Sequence, residues 1–272
     1  MKRLFVFGLG YTAKAIAAAW EARGGEVIST GRDGTLRFDD AGNVRAALAD
    51  AGAVLSSVPP DGAGGDAVLD VYGDALAGKT LAYLSSTGVY GDSGGAWVDE
   101  SAPVGRGRRT ARAEADARWL DIGARVYRLP GIYGPGRSAL ERVREGKAHR
   151  IDLPGQVFSR VHVADIAAGV MAGWEAVAGA YNLADDWPCS QNAVIEEACR
   201  LLGVAPPPLL ALEDAKLSPM ARGFYAENRR VANGKAKRVL GWRPRFATFR
   251  EGLADCLAAA AEGDDHAGHR EN

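Results

Sequence analysis

The stretch Leu4-Phe5-Val6-Phe7-Gly8-Leu9-Gly10-Tyr11-Thr12-Ala13 places a short apolar run directly before a glycine-rich turn. An apolar face at helical spacing follows, so the stretch predicts a buried strand joined to a helix. Backbone N–H groups at such a helix end bind pyrophosphate, and glycines let the phosphates approach the chain. The pattern G-x-G-x-x-A in this context predicts a dinucleotide site. Its contacts would be Gly8, Gly10, Tyr11, Thr12 and Ala13, and a glycine turn without a ligand is the alternative.

Apolar runs alternate with helix-period stretches through the first part of the chain, a pattern typical of a parallel sheet wound with helices. Strands are predicted over 4–7, 27–30, 53–58, 80–84 and 124–129. Helices are predicted over 13–20, 43–51, 66–76 and 111–122. We therefore predict an α/β fold with a Rossmann-type doubly wound parallel sheet.

The alternation weakens after Pro135. Helices are predicted there over 138–145, 164–175, 190–202 and 249–262, with short strands over 160–163, 180–183 and 209–212. We divide the chain into a dinucleotide-binding core over 1–135 and a smaller C-terminal substrate lobe over 136–262, interleaved with the last sheet elements. A polar tail over 263–272 is predicted to be disordered.

The composition, 47% hydrophobic and 25% charged, is that of an ordinary globular protein. The formal net charge is -1 with acids and bases interspersed, so we expect a small-molecule partner and neither nucleic acid nor a membrane. The three cysteines are far apart and match neither a disulfide framework nor a zinc site. Neither a signal-peptide pattern nor an apolar run of about 20 residues occurs, so we expect a cytoplasmic location.

The end of the second predicted strand bears on the choice of dinucleotide. An acidic residue about twenty positions after the glycine turn would accept hydrogen bonds from the adenosine ribose of NAD. The strand ends instead in Ser29-Thr30-Gly31-Arg32, and Arg32 offers a planar set of donors suited to a 2′-phosphate. The sequence therefore favours NADP, but the acidic Asp33 next to Arg32 keeps NAD binding possible. The alternative role of Arg32 is that of a solvated arginine in a turn.

Five further segments, spread over nearly the whole chain, match one known family. They are Leu84-Ser85-Ser86-Thr87-Gly88-Val89-Tyr90-Gly91-Asp92, Arg128-Leu129-Pro130-Gly131-Ile132-Tyr133-Gly134-Pro135-Gly136, Arg160-Val161-His162-Val163-Ala164-Asp165, Tyr181-Asn182-Leu183 and Leu240-Gly241-Trp242-Arg243-Pro244. In these segments the chain resembles the extended short-chain dehydrogenase/reductases, the superfamily of nucleotide-sugar epimerases and dehydratases. Its G-x-G-x-x-A turn, in place of the usual G-x-x-G-x-x-G, indicates an atypical branch. The resemblance implies nicotinamide beside the 128–136 segment, contacts from Ser85, Pro130 and Ile132, and a homodimer.

The resemblance also implies a catalytic role for Ser86, which matches the family's serine or threonine four residues before the Tyr-Gly pair. Its hydroxyl could donate to a substrate oxygen. The family's Y-x-x-x-K motif, which supplies its catalytic tyrosine and lysine, is missing from the segment after Ser86. Aligning its Ala-Glu on residues 113–114 puts Arg106 in the place of the tyrosine and Thr110 in the place of the lysine. Positioned acid–base catalysis contributes ~10² to 10⁴ in rate, so the usual mechanism needs a substitute group.

Tyr90, Tyr133 and His162 are candidates for that substitute. Both tyrosines lie in the matched segments, with packing as their alternative role. His162 has a side chain that can transfer protons near neutral pH, with a structural histidine as its alternative. Tyr225 lies in the predicted lobe and is a weaker candidate.

Three residues are weaker candidates for cofactor contacts. Ser57 and Pro59 lie at the end of the strand predicted over 53–58, at the sheet edge where doubly wound folds bind ligands, and a proline-terminated loop is the alternative. Asp39 could contact the adenine side. Two basic groups could clamp an anionic substrate or could be solvated helix faces: Arg106, Arg108, Arg109 and Arg112, and Arg222, Arg229, Arg230, Lys235, Lys237 and Arg238. No metal-ligand cluster, nucleophile elbow or Walker loop occurs.

Two functions are compatible with these observations. The first is an NADP-dependent oxidoreductase, epimerase or dehydratase that acts on a hydroxyl or carbonyl of a sugar-like or anionic substrate. The second is a non-catalytic NADP-binding redox sensor or regulatory protein of the same fold, which the absent tyrosine and lysine favour. A fold supplies a site but not its chemistry, so the fold alone does not decide between them.

Overall fold

The structure is a computed structural model that describes residues 3–62, 64–107 and 110–268. Its strands are β1 (Leu4–Phe7), β2 (Val27–Ser29), β3 (Ala53–Ser56), β4 (Thr80–Ser86), β5 (Trp97–Val98), β6 (Arg125–Leu129), β7 (Gly131–Tyr133), β8 (Arg150–Ile151), β9 (Arg160–His162), β10 (Gly179–Asn182), β11 (Leu209–Leu210) and β12 (Arg230–Val231). Its helices are α1 (Tyr11–Glu21), α2 (Ala41–Asp50), α3 (Ala67–Tyr72), α4 (Thr110–Asp121), α5 (Ala139–Arg144), α6 (Val163–Gly173), α7 (Gln191–Leu202), α8 (Pro219–Phe224), α9 (Gly234–Val239) and α10 (Phe249–Gly268). None of these described helices is both long enough and apolar enough to cross a membrane.

The main sheet has six parallel strands in the order β10-β6-β4-β3-β1-β2. The chain passes from β1 to β2 on one side and then returns to the other side of β1 to add β3, β4, β6 and β10. The direction of winding therefore reverses between β1 and β3, and ligands of doubly wound sheets bind at the carboxyl ends of the strands beside such a reversal. The α/β, Rossmann-type fold predicted from the sequence is confirmed.

Both faces of the main sheet are buried, as expected for parallel strands. One face packs against α1 and α6, where Ile16 and Trp20 meet Ile166 and Val170 in one apolar cluster. The other face packs against α2, α3 and α4 in a second cluster that includes Leu48, Tyr72 and Trp119. The chain after residue 136 thus supplies one edge strand of the sheet and part of the core on one face.

A third apolar cluster lies under the remaining helices. Leu140 of α5, Ile195 of α7 and Leu253 of α10 pack there with Tyr133 and Phe249. Two small parallel pairs, β7 with β9 and β5 with β12, join the later part of the chain to the loops at the edge of the main sheet, and a third pair, β8 with β11, lies within that later part. The division of the chain at residue 135 stays a prediction.

The helices and strands predicted from the sequence are present, with small shifts at their ends. The strand predicted over 53–58 ends at Ser56, and the helix predicted over 66–76 divides into α3 and a short 3-10 turn, Gly73–Leu76. The helix α10 continues to Gly268, into the tail predicted to be disordered, because its alanine-rich stretch favours continued helix; residues 269–272 lie outside the described residues.

Four strands and two helices were not predicted: β5, β7, β8, β12, α8 and α9. Each of these strands has two or three residues, too few to show an alternating pattern. Their partners are distant in the chain, as where Trp97 pairs with Arg230. Such strands form because tertiary packing brings two segments together.

Candidate functional site

A cavity of about 870 Å³ opens at the carboxyl edge of the main sheet. The turn after β1, the loop after β3 and the ends of β4 and β6 form one side of it. The helices α5, α7, α8 and α10 form the other side, which we call the lobe side. The residues predicted for the site that line it are Gly10, Tyr11, Thr12, Ala13, Ser57, Ser85, Ser86, Pro130, Ile132 and Tyr133.

The first glycine of the turn is required by the protein's own packing. Gly8 has a φ of 82°, a left-handed conformation that residues with a Cβ rarely adopt. A Cβ there would also lie 3.0 Å from Ser57 Oγ and 3.2 Å from Val58 Cγ2. The Ser57 hydroxyl donates a hydrogen bond to the Gly8 carbonyl, which joins the ends of β1 and β3.

The second glycine has no such requirement. Gly10 has a φ of -86°, and apart from its chain neighbours no atom of the described residues lies within 4 Å of the place its Cβ would take. It begins α1 without a side-chain cap, so the first N–H groups of the helix have no side-chain acceptor. Thr12 and Ala13 are buried against the sheet. An uncapped helix end at an open glycine fits a pyrophosphate.

Tyr11 closes one flank of this helix end. Its hydroxyl donates to the Pro135 carbonyl at 3.0 Å, and the Arg137 guanidinium lies 5.5 Å from its ring centroid. Burial raises the pKa of Tyr11 to about 12, so its hydroxyl keeps its proton at neutral pH. Tyr11 therefore connects α1 to the loop after β7.

Arg32, Asp39 and Pro59 are exposed and are not part of the cavity wall. Asp39 forms an ion pair with Arg37 at 2.9 Å. Asp33 is the residue that keeps NAD binding possible. It pairs with Lys14 of α1 at 2.5 Å, and this hydrogen bond holds the pKa of the Asp33 carboxyl below its ordinary value.

Ser86 stands at the end of β4, and its side chain faces the cavity. Its Oγ accepts a hydrogen bond from the Gly88 N–H at 3.1 Å. That contact uses an acceptor site of the hydroxyl and leaves its proton free to be donated. Ser86 therefore faces the cavity with a donor available to a bound molecule, and its catalytic role stays a prediction.

A buried polar network lies directly behind Ser86. The Ser85 hydroxyl donates to Asp116 at 2.6 Å, and Arg128 donates to both oxygens of Asp116 at 3.0 and 2.7 Å. Arg128 also donates to the Tyr90 hydroxyl at 3.1 Å, which donates to Asn182 at 2.7 Å. The hydroxyl of Tyr90 is thus fully used inside the protein, and Tyr90 is not brought to the cavity.

His162 is also placed away from the cavity. Its Nδ1 accepts from the Ala164 N–H at 3.3 Å and so caps α6, and its Nε2 lies 3.6 Å from Asp255 and 3.8 Å from Cys256 Sγ. Burial lowers the pKa of His162, so the ring is neutral at pH 7. This geometry is that of a structural histidine, the alternative role considered for His162.

Tyr133 lines the cavity, but its ring belongs to the third apolar cluster and lies edge-on to the His162 ring at 5.2 Å. Its hydroxyl is buried and has no hydrogen-bond partner among the described residues. Burial raises the pKa of this hydroxyl strongly, so it stays protonated. Tyr133 holds a proton but has no contact in the structure that would help it to release one.

Arg106 and Thr110, at the places of the family's tyrosine and lysine, are exposed and lie outside the cavity wall. Arg108 and Arg109 lie outside the described residues. Arg112 does line the cavity, and its Nη1 donates to the Tyr83 hydroxyl at 2.8 Å. Arg112 has no carboxylate partner within the described ranges. In the sequence, Arg112 is one member of a basic run. Whether its side chain faces the cavity depends on how α4 packs.

The second basic group contributes one residue to the cavity, Arg229, which is paired with Glu227 at 2.9 Å. Tyr225 also lines the cavity and lies edge-on to Phe158 at 5.6 Å. Phe158, Arg142 and His149 line the lobe side and were not predicted. Nothing in their spacing marks them, because loops and short helices from distant parts of the chain bring them together.

Solved structures that contain a nicotinamide dinucleotide share this fold over nearly the whole chain. MoeE5 in complex with UDP-glucose and NAD has a TM-score of 0.78 at 19% identity, covering 96% of this chain and 99% of that one. The human epimerase family protein SDR39U1 with NADPH has a TM-score of 0.75 at 18% identity, covering 92% and 97%. The chain has the extended short-chain dehydrogenase/reductase fold.

Within this fold, the chain belongs to the same family as a conserved protein of unknown function from Silicibacter pomeroyi DSS. The two are 37% identical, with a TM-score of 0.85 over 95% of this chain and 99% of that one. Protein YeeZ of Escherichia coli (strain K12) is 28% identical over 246 residues, 76% of this chain and 86% of that protein. No family model matches the chain.

A second curated relative is a 3-diazoavenalumate denitrifying reductase from Streptomyces sp., 31% identical over 160 residues. The match covers 53% of this chain and 52% of that protein, so the chain spans about half the length of this relative.

Proposed function

We propose that this protein binds NADP(H) and is an oxidoreductase that acts on a hydroxyl or carbonyl group of an anionic substrate. The wider class of reactions to which this activity belongs includes epimerase and dehydratase chemistry on sugar-like substrates. One observation carries the proposal: the uncapped end of α1 at Gly10 and the free hydroxyl proton of Ser86 face the same cavity. The complexes of MoeE5 with NAD and of SDR39U1 with NADPH support the cofactor. The printed name of the Streptomyces relative, a reductase, supports the reaction class.

The cofactor's pyrophosphate would be held by the N–H groups at the start of α1, with Ser57 fixing the turn. Arg32 would bind the 2′-phosphate, while Asp33 is occupied by Lys14 and so competes less as a ribose acceptor. Bound NADP(H) would supply or accept the hydride. This arrangement favours NADP over NAD because a cation, and no free carboxylate, stands after β2.

At the reacting end, the Ser86 hydroxyl would donate to the substrate oxygen. A donor of this kind contributes on the order of 3 kcal/mol when it stabilises developing charge. Arg112 is permanently charged, so it can stabilise negative charge in the cavity but cannot deliver a proton. Ser86 would therefore supply a hydrogen-bond donor and Arg112 a fixed positive charge, and the proton that the family's tyrosine exchanges would pass between the substrate oxygen and water.

The redox-sensor alternative rests on a different observation. The positions of the family's catalytic tyrosine and lysine, Arg106 and Thr110, are exposed outside the cavity, and Tyr90 is fully hydrogen-bonded in the core. A protein that binds NADP(H) without turnover would need no replacement for that pair.

The two functions differ in turnover. We would titrate the protein with NADP+, NADPH and NAD+ and then follow nicotinamide absorbance over a panel of carbonyl and hydroxyl substrates. For an enzyme, Ser86→Ala lowers kcat by ~10² to 10³ and leaves the Kd of NADP+ unchanged. The control Ser101→Ala, in an exposed turn, leaves both unchanged. Tight NADP+ binding without turnover on any substrate would support the sensor.

A further inference from the structure

The lobe side of the cavity has an apolar, partly aromatic patch among charged and polar side chains. Phe158, Ile195 and Leu253 stand there, with Phe224 and Tyr225 of the α8 region at the rim. Phe224 is 47% exposed. Sugar hydroxyls against this patch would lose water without gaining partners, at a cost of roughly 1–3 kcal/mol for each unpaired group. The apolar, partly aromatic body of a ligand fits this side better.

Most charges on the lobe side are already neutralised within the protein. Arg229 is paired with Glu227, and it also donates to the Gly91 carbonyl at 2.6 Å. Arg160 is 7% exposed and donates to the Phe158 and Cys189 carbonyls. Glu141 is used in the cap of α5, where it accepts from the Ser138 N–H at 2.6 Å. These groups are not free to bind a ligand.

Arg142 differs from its neighbours. It is an exposed residue of α5 that lines the cavity, and no carboxylate in the described part of the chain pairs with it. Burial raises the pKa of Tyr225 and lowers the pKa of His149; the positive charge of Arg142 opposes the first shift and adds to the second, so both of these cavity residues lie in its field. One guanidinium beside a phenol and an imidazole can make several hydrogen bonds to one carboxylate.

We infer that the lobe side binds a planar aromatic monocarboxylate, with its carboxylate on Arg142 and its ring against the contacting pair Phe158 and Tyr225. This inference rests on the proposed function, whose substrate it specifies. A nucleotide sugar carries a diphosphate and several hydroxyls. Arg137 and Arg142 both line the cavity without a carboxylate partner among the described residues, but Arg137 lies over the Tyr11 ring at the α1 end, so Arg142 is the cation beside the aromatic patch.

The test uses a charged probe and a neutral probe of the same shape, 2-naphthoate and 2-naphthamide, with UDP-glucose as the competing class. Calorimetric titrations are made with the protein saturated with NADP+ and also without it. We expect naphthoate to bind at least about tenfold more tightly than naphthamide, because the charged hydrogen bond is lost in the amide. UDP-glucose should bind more weakly than naphthoate.

The variant Arg142→Gln should lose at least about tenfold in naphthoate affinity and keep the naphthamide affinity, which also shows that the variant is folded. The control is Arg144→Gln, an exposed arginine of the same helix outside the cavity wall, and it should bind both probes as the native protein does.

Three results would overturn the inference: equal affinity for the two probes, an unchanged naphthoate affinity in Arg142→Gln, or tighter binding of UDP-glucose than of naphthoate. The NADP+ titration separates this inference from the proposed function. A protein that binds NADP+ but not naphthoate overturns the inference alone. A protein that does not bind NADP+ overturns the proposed function, and the titrations without NADP+ then still test Arg142.

Discussion

At the scale of single residues, Ser85 and Ser86 show how one step along a strand separates two roles. Successive side chains of a strand point to opposite sides. The Ser85 hydroxyl donates to the buried Asp116, whereas Ser86 keeps its proton for the cavity. Asp116 is held by Arg128, so the charged pair fixes the end of β4 from behind. The catalytic role proposed for Ser86 thus depends on its neighbour being used for structure.

A prediction at this scale concerns Arg32. Replacement by alanine should weaken NADP+ binding by roughly tenfold or more and change NAD+ binding little, because NAD+ lacks the 2′-phosphate. Fluorescence or calorimetric titration with both cofactors measures the ratio. Arg37→Ala, an exposed arginine paired with Asp39, serves as control. An equal loss for both cofactors would contradict the assignment.

Asp185 gives a second residue-scale prediction. It is buried, its Oδ2 has no partner among the described residues, and burial raises the pKa of its carboxyl from 3.8 to about 7. The folded state therefore holds the proton more tightly than the unfolded chain. The stability from this proton is complete below about pH 4 and is lost as the pH rises towards about 7.

An asparagine side chain cannot ionise, so Asp185→Asn should gain stability relative to the native protein as the pH rises from about 5 to about 8. Thermal unfolding of both proteins across this range measures the difference in Tm. The exposed Asp214→Asn should show no such trend. A Tm difference independent of pH in Asp185→Asn would show that the carboxyl does not titrate in this range.

At the scale of elements, the junction of β1 and α1 contains two glycines that serve different purposes. Gly8 lets the chain turn sharply against Ser57, whereas Gly10 leaves the helix end open without any demand from the protein's own packing. The first glycine therefore belongs to the fold and the second to the proposed ligand.

The two glycines should respond differently to the same substitution. Gly8→Val requires a strained backbone and a collision with Ser57, and it should lower the free energy of unfolding by at least ~1–3 kcal/mol. Gly10→Val should cost about 1 kcal/mol or less in stability but abolish measurable NADP+ binding, because its side chain blocks the phosphates. Thermal unfolding and cofactor titration of the pair separate these effects. Native-like NADP+ binding by Gly10→Val would refute the pyrophosphate assignment.

At the scale of the whole molecule, the cavity joins two parts that the chain builds separately. The sheet edge supplies the turn, Ser57 and Ser86, and the later helices supply the lobe side with Arg142 and Tyr225. α6 packs on α1 within one apolar cluster, so the later part of the chain stabilises the helix whose N-terminus faces the cavity.

Because the site is built on this shared core, ligand binding should stabilise the whole protein. At about 100 times its Kd, NADP+ should add about 2.7 kcal/mol to the free energy of unfolding, which raises the Tm by roughly 5–10 °C. A thermal scan with NADP+ and with NAD+ at equal concentration measures this, and NAD+ should give the smaller rise. Gly10→Val provides the control and should show no rise with either cofactor.

The sequence was sufficient for the sheet, for most helices and for the turn, because these depend on local patterns. The run from Leu4 to Ala13 combines strand, turn and helix signals within ten residues. It was not sufficient for the polar groups around Ser86. Tyr90 and Asn182 are 92 residues apart in the chain, and their hydrogen bond decides that Tyr90 belongs to the core.

The sequence by itself thus determined a doubly wound α/β fold and the place of the glycine turn between β1 and α1, since backbone conformation and hydrophobic periodicity depend on neighbouring residues. Only the tertiary structure decided which polar side chains share the cavity. It set Tyr90 and His162 inside the protein, left Arg106 and Thr110 in solvent, and brought Arg112 and Arg142 to the cavity wall. The physical reason is that a side chain's burial and partners depend on contacts between distant segments.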